Sequence, residues 1–201
     1  MRTSRAAGPP FRPAAAAALA VLLAACTQAP AVLLPMDEHG AVIHPDSQFA
    51  FPSQVGPFVR VNVKHHDPKG ASLSSDYTLG TTAVITVFVY PEPPADGPPG
   101  NRFDREFQIL KIGASENQDL HLLSEAPVTV TQNGHVYEGQ RITFEYRGSF
   151  GGITQELFAR HYLFLLGHHF IQYRVIYPAT EDIKVSPLVQ SFLNDLRWPG
   201  E

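Results

Sequence analysis

The single cysteine of the chain, Cys26, is the residue whose possible chemistry is best defined by its neighbours. It ends an apolar run that begins at Ala14, and the residues before that run include Arg2, Arg5 and Arg12 but no acidic side chain. Near neutral pH a thiolate is nucleophilic enough to accept a diacylglyceryl group as a thioether, whereas a hydroxyl is not. Cys26 therefore has the chemistry that covalent attachment of a lipid requires, and it lies at the end of an apolar run.

The apolar run has the length of a signal-peptide core, about a dozen residues, where an export signal has roughly 7–15 and a transmembrane helix roughly 20. Its last four residues, Leu23, Ala24, Ala25 and Cys26, resemble the lipobox of bacterial lipoproteins. The resemblance implies cleavage before Cys26, acylation of the cysteine, and attachment of the mature chain to a membrane. Thr27 favours the outer membrane, because the enterobacterial rule for inner-membrane retention has an aspartate there.

Two other interpretations of Cys26 stay open. An ordinary secretory signal cut after Ala25 would leave a free thiol, and a cytoplasmic protein would bury the cysteine as a structural residue. Without lipidation, however, a lone cysteine in an exported chain has no clear purpose. Lipidation at Cys26 is therefore the preferred hypothesis.

Histidine is the second residue type that could do chemistry, because the chain has nine. The densest groups are His65-His66-Asp67 and His168-His169, and Asp37-Glu38-His39 with His44 lie in a proline-rich stretch. Neighbouring side chains in a strand point to opposite faces, so a pair reaches one ion only where the backbone leaves the strand. No closed zinc spacing and no HExxH motif is present. We expect His39 and His44 to be solvated residues of a linker and the two pairs to be exposed turn histidines, with metal binding by His65, His66, His168 or His169 as the alternative.

The sequence contains no recognisable catalytic constellation. Ser149 lies among glycines in Gly148-Ser149-Phe150-Gly151-Gly152, but the pattern is not GxSxG and predicted strands flank it on both sides. Glycine-rich phosphate-binding loops are also missing. We therefore expect a protein that is not an enzyme and needs no cofactor.

Composition limits the possible partners. The full chain has 15 basic and 19 acidic residues, and removal of residues 1–25 takes away three arginines and no acid. The mature chain then has 12 basic against 19 acidic residues, a net charge of −7. This sign argues against binding to nucleic acid or to anionic lipid headgroups. With 44% hydrophobic residues the chain can bury a core without disulfides.

The predicted organisation is a signal peptide at 1–25, a proline-rich tether at 26–57 and one domain at 58–199. Prolines recur through the tether without a sustained period of 2 or 3.6. In the domain, Val59, Val61 and Val63 alternate with polar residues, which predicts a strand with these valines buried. The apolar run from Ala83 to Tyr90 predicts a central strand.

An antiparallel meander is predicted after the middle of the chain. Asn133-Gly134 is a strong hairpin signal, Gly139 is a candidate bulge, and Gly167-His168 suits a two-residue type II′ loop. The register of that last hairpin predicts three pairs on one face, with His161 opposite Arg174 on the other. The three pairs are Phe164 with Ile171, Tyr162 with Tyr173, and Phe158 with Tyr177.

Two helices are predicted to pack on the sheet. The first follows Asn101 as N-cap and repeats apolar residues from Phe103 to Ala114 at helical spacing. The second is predicted to start with Ser186 as N-cap and Pro187 at its first position, and to end near Trp198. The predicted fold class is α+β: an antiparallel sheet with a mid-chain helix and a C-terminal amphipathic helix.

The order of elements over Phe58 to Trp198 resembles the PsbP-like α+β sandwich. This resemblance implies a membrane-associated accessory or binding protein and assigns no functional residue. The sequence thus predicts a lipid-anchored envelope protein that binds or scaffolds a protein partner. Metal binding through the histidine pairs and carriage of an apolar ligand between sheet and helix are the alternatives.

Overall fold

The computed structural model describes residues 40–93, 102–115, 120–132 and 134–199. The predicted signal peptide, with Leu23, Ala24, Ala25 and Cys26, and the first part of the predicted tether lie outside these ranges. Ten strands and two helices form the described part, and a 3₁₀ turn at Ala179–Glu181 precedes the second helix. They are β1 Val42–Ile43, β2 Ala50–Phe51, β3 Gln54–Val55, β4 Phe58–His65, β5 Leu73–Leu79, β6 Ala83–Pro91, α1 Arg102–Ser115, β7 His121–Gln132, β8 His135–Phe150, β9 Ile153–Leu166, β10 His169–Pro178 and α2 Asp182–Asp195.

Eight of the strands form one antiparallel sheet in the order β3-β4-β5-β6-β10-β9-β8-β7. The run Ala83–Pro91 is the central strand that the sequence predicts, because β5 and β10 pair with it on either side. The last four strands form the predicted meander. An antiparallel sheet with two helices is an α+β fold, so the predicted class is confirmed.

The predicted hairpin registers are confirmed as well. Gln132 pairs with His135 around the first loop, and Leu166 pairs with His169 around the second. Gly167 has φ of +58° and His168 is not in the positive-φ region, as a type II′ loop requires. The four cross-strand pairs expected between β9 and β10, including His161 with Arg174, are all present.

The two faces of the sheet carry separate cores, which we name by the helix on each. On the α2 face, large aromatic side chains pack around Phe192, whose ring centroid is 5.1 Å from that of Tyr77 and 5.2 Å from that of Phe58. On the α1 face a smaller cluster forms around Phe107, Phe144 and Phe170. Neither helix has the length and apolar character of a bilayer-spanning segment.

Helix α2 begins one turn earlier than predicted. Asp182 is its first residue, and Ser186 and Pro187 lie inside it. The Oδ1 atom of Asp182 accepts hydrogen bonds from Ser186 Oγ at 2.6 Å and from Tyr177 Oη at 2.7 Å. These bonds draw residues 182–185 into the helix, so Ser186 is not its N-cap.

The end of the chain is fixed as the sequence suggests. Trp198 Nε1 donates to the buried Tyr173 hydroxyl at 2.8 Å, and its ring packs against Tyr137 and Phe164. Gln132 Nε2 donates to the carbonyl oxygens of Leu193 and Asn194, both at 3.0 Å. These bonds satisfy carbonyl groups at the helix end that have no partner within the helix.

Residues 40–57 belong to the domain, so the prediction of a tether up to Pro57 is wrong for this part. Phe49 and Phe51 are fully buried in the α2-face core. The Arg60 guanidinium donates to Phe51 O and, at 2.7 Å, to Gly40 O, which holds the segment against β4. The scattered prolines hid this, because β1, β2 and β3 have only two residues each and show no period.

Strand β4 also departs from its predicted pattern. Its register shifts between Arg60 and Asn62, so the alternation is interrupted. Val59 and Val61 are 52% and 62% exposed, whereas Val63 is buried as predicted. A β-bulge reverses which side chains face the core, and a simple period of two cannot show it.

Gly139 is not a bulge, because it pairs in unbroken register with Val128 and Phe164. Glycine is required at this position because the neighbouring strand β9 approaches it closely. A Cβ atom added here would lie 2.4 Å from Leu163 O and 2.5 Å from the Phe164 ring.

We predict that Gly139→Ala destabilises the protein, because the clash involves backbone as well as a buried ring. Overpacking of this kind costs about 1–3 kcal/mol. Urea unfolding of the full chain should show a lower midpoint for Gly139→Ala, while Glu138→Ala, at an exposed neighbouring position, should leave it unchanged. Equal midpoints for Gly139→Ala and the parent chain would contradict the packing described.

Candidate functional site

The two predicted histidine pairs contact different neighbours. His66 Nε2 lies 2.8 Å from Ser74 Oγ, and His65 Nε2 is buried without a hydrogen-bond partner. The side chain of His168 is 89% exposed and lies 3.4 Å from Glu92 Oε2, whereas the ring of His169 packs edge-on against that of His44 at 5.4 Å. Within the described ranges, no three His, Cys, Asp or Glu side chains are grouped as a metal site requires.

His44 was predicted to be a solvated tether residue, and this is wrong because it is fully buried. Its Nε2 lies 3.1 Å from Ala71 O, which can only accept, so this nitrogen carries the proton. Its Nδ1 accepts from the backbone N–H and the hydroxyl of Ser47. Burial lowers the pKa of His44, so the fold favours the neutral ring.

The interface between the sheet and α2 is filled by side chains. Phe192 contacts the rings of Phe58, Tyr77 and Tyr173. The hypothesis of an apolar-ligand carrier needs space in this interface. A pocket of about 420 Å³ lies instead beside Phe103 of α1, where Glu138 and Gln140 contribute polar lining. Neither observation favours an apolar ligand.

A strip of polar side chains crosses the α1 face beside the cluster around Phe107, and these side chains form hydrogen bonds with one another. Asp76 accepts hydrogen bonds from Asn62 at 2.8 Å, Lys64 at 2.9 Å and Thr86 at 2.8 Å. Burial alone would raise the pKa of Asp76, but these bonds hold it below its usual range. Because the carboxylate is fully engaged, the strip is a stabilised outer surface with little free bonding capacity.

His161 lies at the border of this strip, in register with Arg174. Burial, and then the positive charge of Arg174, lower the pKa of His161 from 6.5 to about 4. The unfolded chain therefore binds a proton that the folded chain does not between these two values. The stabilisation is present above pH 6.5 and is lost as the pH falls toward 4.

We predict that the free energy of unfolding falls between pH 6.5 and 4.5 and that His161→Gln weakens this dependence. One proton contributes at most about 1.4 kcal/mol per pH unit. Chemical denaturation of the full chain across this range measures the slope. His135→Gln, at an exposed residue of the β7–β8 hairpin, is the control. If His161→Gln and His135→Gln have the same slope, His161 is not the group responsible.

A second group of polar side chains, on the α2 face, is not self-satisfied. Arg141 of β8 pairs with Tyr162 of β9, and Thr143 pairs with Arg160. Because residues two apart in a strand share a face, these four side chains form a two-by-two block. We name them the arginine block. It adjoins the N-terminal turns of α2, since Arg160 bonds to Asp182.

The two arginines of the block differ in their partners. Arg160 donates from Nη1 to Ser186 Oγ at 2.7 Å and from Nη2 to Asp182 Oδ1 at 2.8 Å. Its charge is therefore compensated, but its Nε is buried without a hydrogen-bond partner. Arg141 Nε is also buried without one, and no carboxylate in the described part of the chain forms an ion pair with Arg141.

The Tyr162 hydroxyl lies beside both guanidinium groups. Burial raises the pKa of Tyr162, and Arg160 and Arg141 act in the opposite direction through their charges and hydrogen bonds. Thr143 is only 5% exposed at the base of the block. An arrangement with two buried, unpaired N–H donors and one uncompensated positive charge can accept an anionic group.

The sequence did not reveal the arginine block, because alternation in β8 made Arg141 and Thr143 look like solvent-facing residues. Both faces of β8 are in fact covered in part, and Thr143 is buried. The missing signal was the loop between β8 and β9. Phe150 pairs with Ile153, so Gly151 and Gly152 alone form it, and this register would have placed Arg141 opposite Tyr162.

Comparison with known proteins gives similarity in fold only. No protein-family model and no curated protein matches this chain. Several solved structures match this chain, among them the following two. Cyanobacterial PsbP (CyanoP) from Synechocystis sp. PCC 6803 has 16% identity and a TM-score of 0.44 over 75% of this chain and 85% of that chain. PA94 from Pseudomonas aeruginosa, a protein of unknown function, has 10% identity and a TM-score of 0.42 over 80% of this chain and 97% of that chain. Similarity at this level assigns no role to any residue and indicates no activity.

Proposed function

We propose that this chain is a lipid-anchored protein of the bacterial cell envelope that binds a partner without catalysing a reaction. The single observation on which this depends is the sequence Leu23-Ala24-Ala25-Cys26 after a basic and then apolar leader. Acylation of Cys26 would anchor the mature chain with several acyl chains, which hold far more firmly than one.

The fold limits the length of any tether that this proposal requires. Because the domain includes Gly40, at most residues 27–39 separate the anchor from the domain. Thirteen residues reach at most about 45 Å when fully extended. The domain would meet its partner close to the membrane surface, and outer-membrane attachment is favoured by Thr27 as the residue after the cysteine.

The binding role is supported by the kind of polar groups that the domain leaves unpaired. The carboxylate of Asp76 and both nitrogens of His44 are engaged within the fold. In the arginine block, by contrast, the buried Nε–H groups of Arg141 and Arg160 have no partner. A protein that binds through these donors needs no nucleophile or general base.

We predict that Cys26→Ala abolishes lipid attachment. The parent chain, expressed in a bacterium and labelled with palmitate, should carry the label and fractionate with membranes. Cys26→Ala should lose the label and leave the membrane fraction, because the thiol that accepts the lipid is gone. Thr27→Ser is the matched control and should keep both properties. Membrane retention of unlabelled Cys26→Ala would refute the anchor.

A photo-crosslinking amino acid in living cells tests the binding role. Placed at Ser124, beside the arginine block, it should form a discrete adduct that disappears in the Arg141→Gln background. Placed at Val61, on the exposed edge of β4, it should not form the same adduct. Identical adducts at both positions, or adducts that persist with Arg141→Gln, would contradict binding through the arginine block.

A further inference from the structure

We propose that the arginine block binds a singly charged oxyanion, such as a carboxylate or a phosphodiester, on its ligand. This inference deepens the proposed binding role and rests on it, but it does not depend on lipidation of Cys26. The shared chemistry is a delocalised single negative charge on two accepting oxygens.

The position of the donors is the first reason. Arg141 and Arg160 lie on neighbouring strands and on the same face, one residue pair apart in the register. Each has a buried Nε–H without an acceptor. A buried donor that lacks a partner has lost its hydrogen bond to water without a replacement, so two of them side by side are unfavourable unless something accepts from them.

The charge of the site is the second reason. The Arg160 charge is balanced by Asp182 at 2.8 Å, which leaves Arg141 as the cation without an ion-pair partner in the described part of the chain. One uncompensated guanidinium matches one negative charge. Glu145 lies two residues beyond Thr143 on the same face and forms no ion pair with either arginine in the described part of the chain. Its negative charge would repel a doubly charged group more strongly than a singly charged one.

Access is the third reason. The positions of edge strand β7 next to Arg141 and Thr143 are occupied by Ala126 and Ser124, whose side chains are small. Ser124 is exposed, and Ala126 is half-buried. A ligand that approaches from the β7 side therefore meets no large side chain at these two positions of the edge strand.

The geometry of a guanidinium narrows the chemistry. Its planar fork of N–H donors matches the two oxygens of a carboxylate or of a phosphodiester, and such charge-assisted bonds are stronger than neutral ones. The Tyr162 hydroxyl adds a further polar group beside both guanidinium groups. Thr143 closes the base of the site, so the ligand is expected to end in the oxyanion and not to pass through.

The test is an NMR titration of the full chain, solubilised in a neutral detergent, with the Arg Nε–H resonances as the readout. The probes are acetate, dimethyl phosphate and inorganic phosphate, each against sodium chloride at matched ionic strength. We expect saturable shifts at Arg141 and Arg160 with acetate or dimethyl phosphate, at dissociation constants of about 1–10 mM. Inorganic phosphate, largely doubly charged near pH 7.5, should bind at least about fivefold more weakly.

The probes also distinguish the source of the oxyanion. Saturation by acetate alone assigns a carboxylate ligand, and saturation by dimethyl phosphate alone assigns a phosphodiester. Shifts that rise linearly with every salt, or that equal those in sodium chloride, would overturn the proposal.

Variants connect the shifts to the site. Arg141→Gln should remove the saturable shift at Arg160, and Arg141→Lys, which keeps the charge without the fork, should weaken binding by about tenfold. If Arg141→Gln does not fold, Arg141→Lys keeps the proposal testable. Arg174→Gln, an exposed arginine on the α1 face, is the matched control and should bind as the parent does. Unchanged affinity in Arg141→Lys would contradict recognition by the fork.

The same titration with Cys26→Ala separates this inference from the anchor. Binding that survives in Cys26→Ala while the palmitate label is absent supports an oxyanion site in a chain whose anchor has been removed. If the parent chain carries the palmitate label but binds none of the oxyanions, the oxyanion site is overturned and the lipid anchor is not.

Discussion

Two helices of fourteen residues cannot cover both faces of an eight-stranded sheet. Strands lie about 4.8 Å apart, so the sheet is about 34 Å wide, whereas each helix is about 21 Å long. Each face therefore has a part that some other group must protect from water or that must be polar. The difference between the width of the sheet and the length of the helices accounts for three features: the packing of residues 40–57, the polar strip and the arginine block.

The chain covers the remaining area in three ways. On the α2 face the segment from residue 40 to 57 packs Phe49 and Phe51 beside β4, and Arg60 holds it there through backbone carbonyl groups. On the α1 face Asp76, with Lys64 and Thr86, replaces an apolar cover with a hydrogen-bonded strip. Beside α2, toward the edge strand β7, the polar side chains of the arginine block form the third such part.

The sequence predicted those elements whose signals are local. Hairpin loops at Asn133-Gly134 and Gly167-His168 set the register of the meander, and the apolar run of β6 identified the centre of the sheet. The features it missed depend on contacts between distant residues. Nothing near Phe49 indicates that it lies in the core, and nothing near Val61 indicates that the strand is interrupted by a bulge. Gly139 resembled a bulge because the ring that excludes a side chain there, Phe164, is 25 residues away.

The candidate site was missed for the same kind of reason. Arg141 lies in an alternating strand, and alternation assigns its side chain to solvent when only one face is buried. Here both faces are partly buried, so the polar set of β8 also enters a packed environment. His65 and His66 attracted attention as a dense pair, yet sequence proximity brought together side chains with separate contacts. The candidate site consists instead of positions that strand pairing brings together.

The difference between Arg160 and Arg141 explains why the α2 face has an unpaired charge at all. Arg160 fixes the start of α2 through Asp182 and Ser186, and Tyr177 donates to the same carboxylate oxygen. The Oδ1 atom of Asp182 is therefore occupied by three donors, and no ion pair joins this carboxylate to Arg141 in the described part of the chain. A partly buried cation without a counterion is costly, and a hydrophobic residue of similar size would avoid this cost. In a chain with 19 acidic and 15 basic residues, a carboxylate near Arg141 would be easy to supply. Its absence from the described neighbours of Arg141 is most simply understood if the counterion belongs to the ligand.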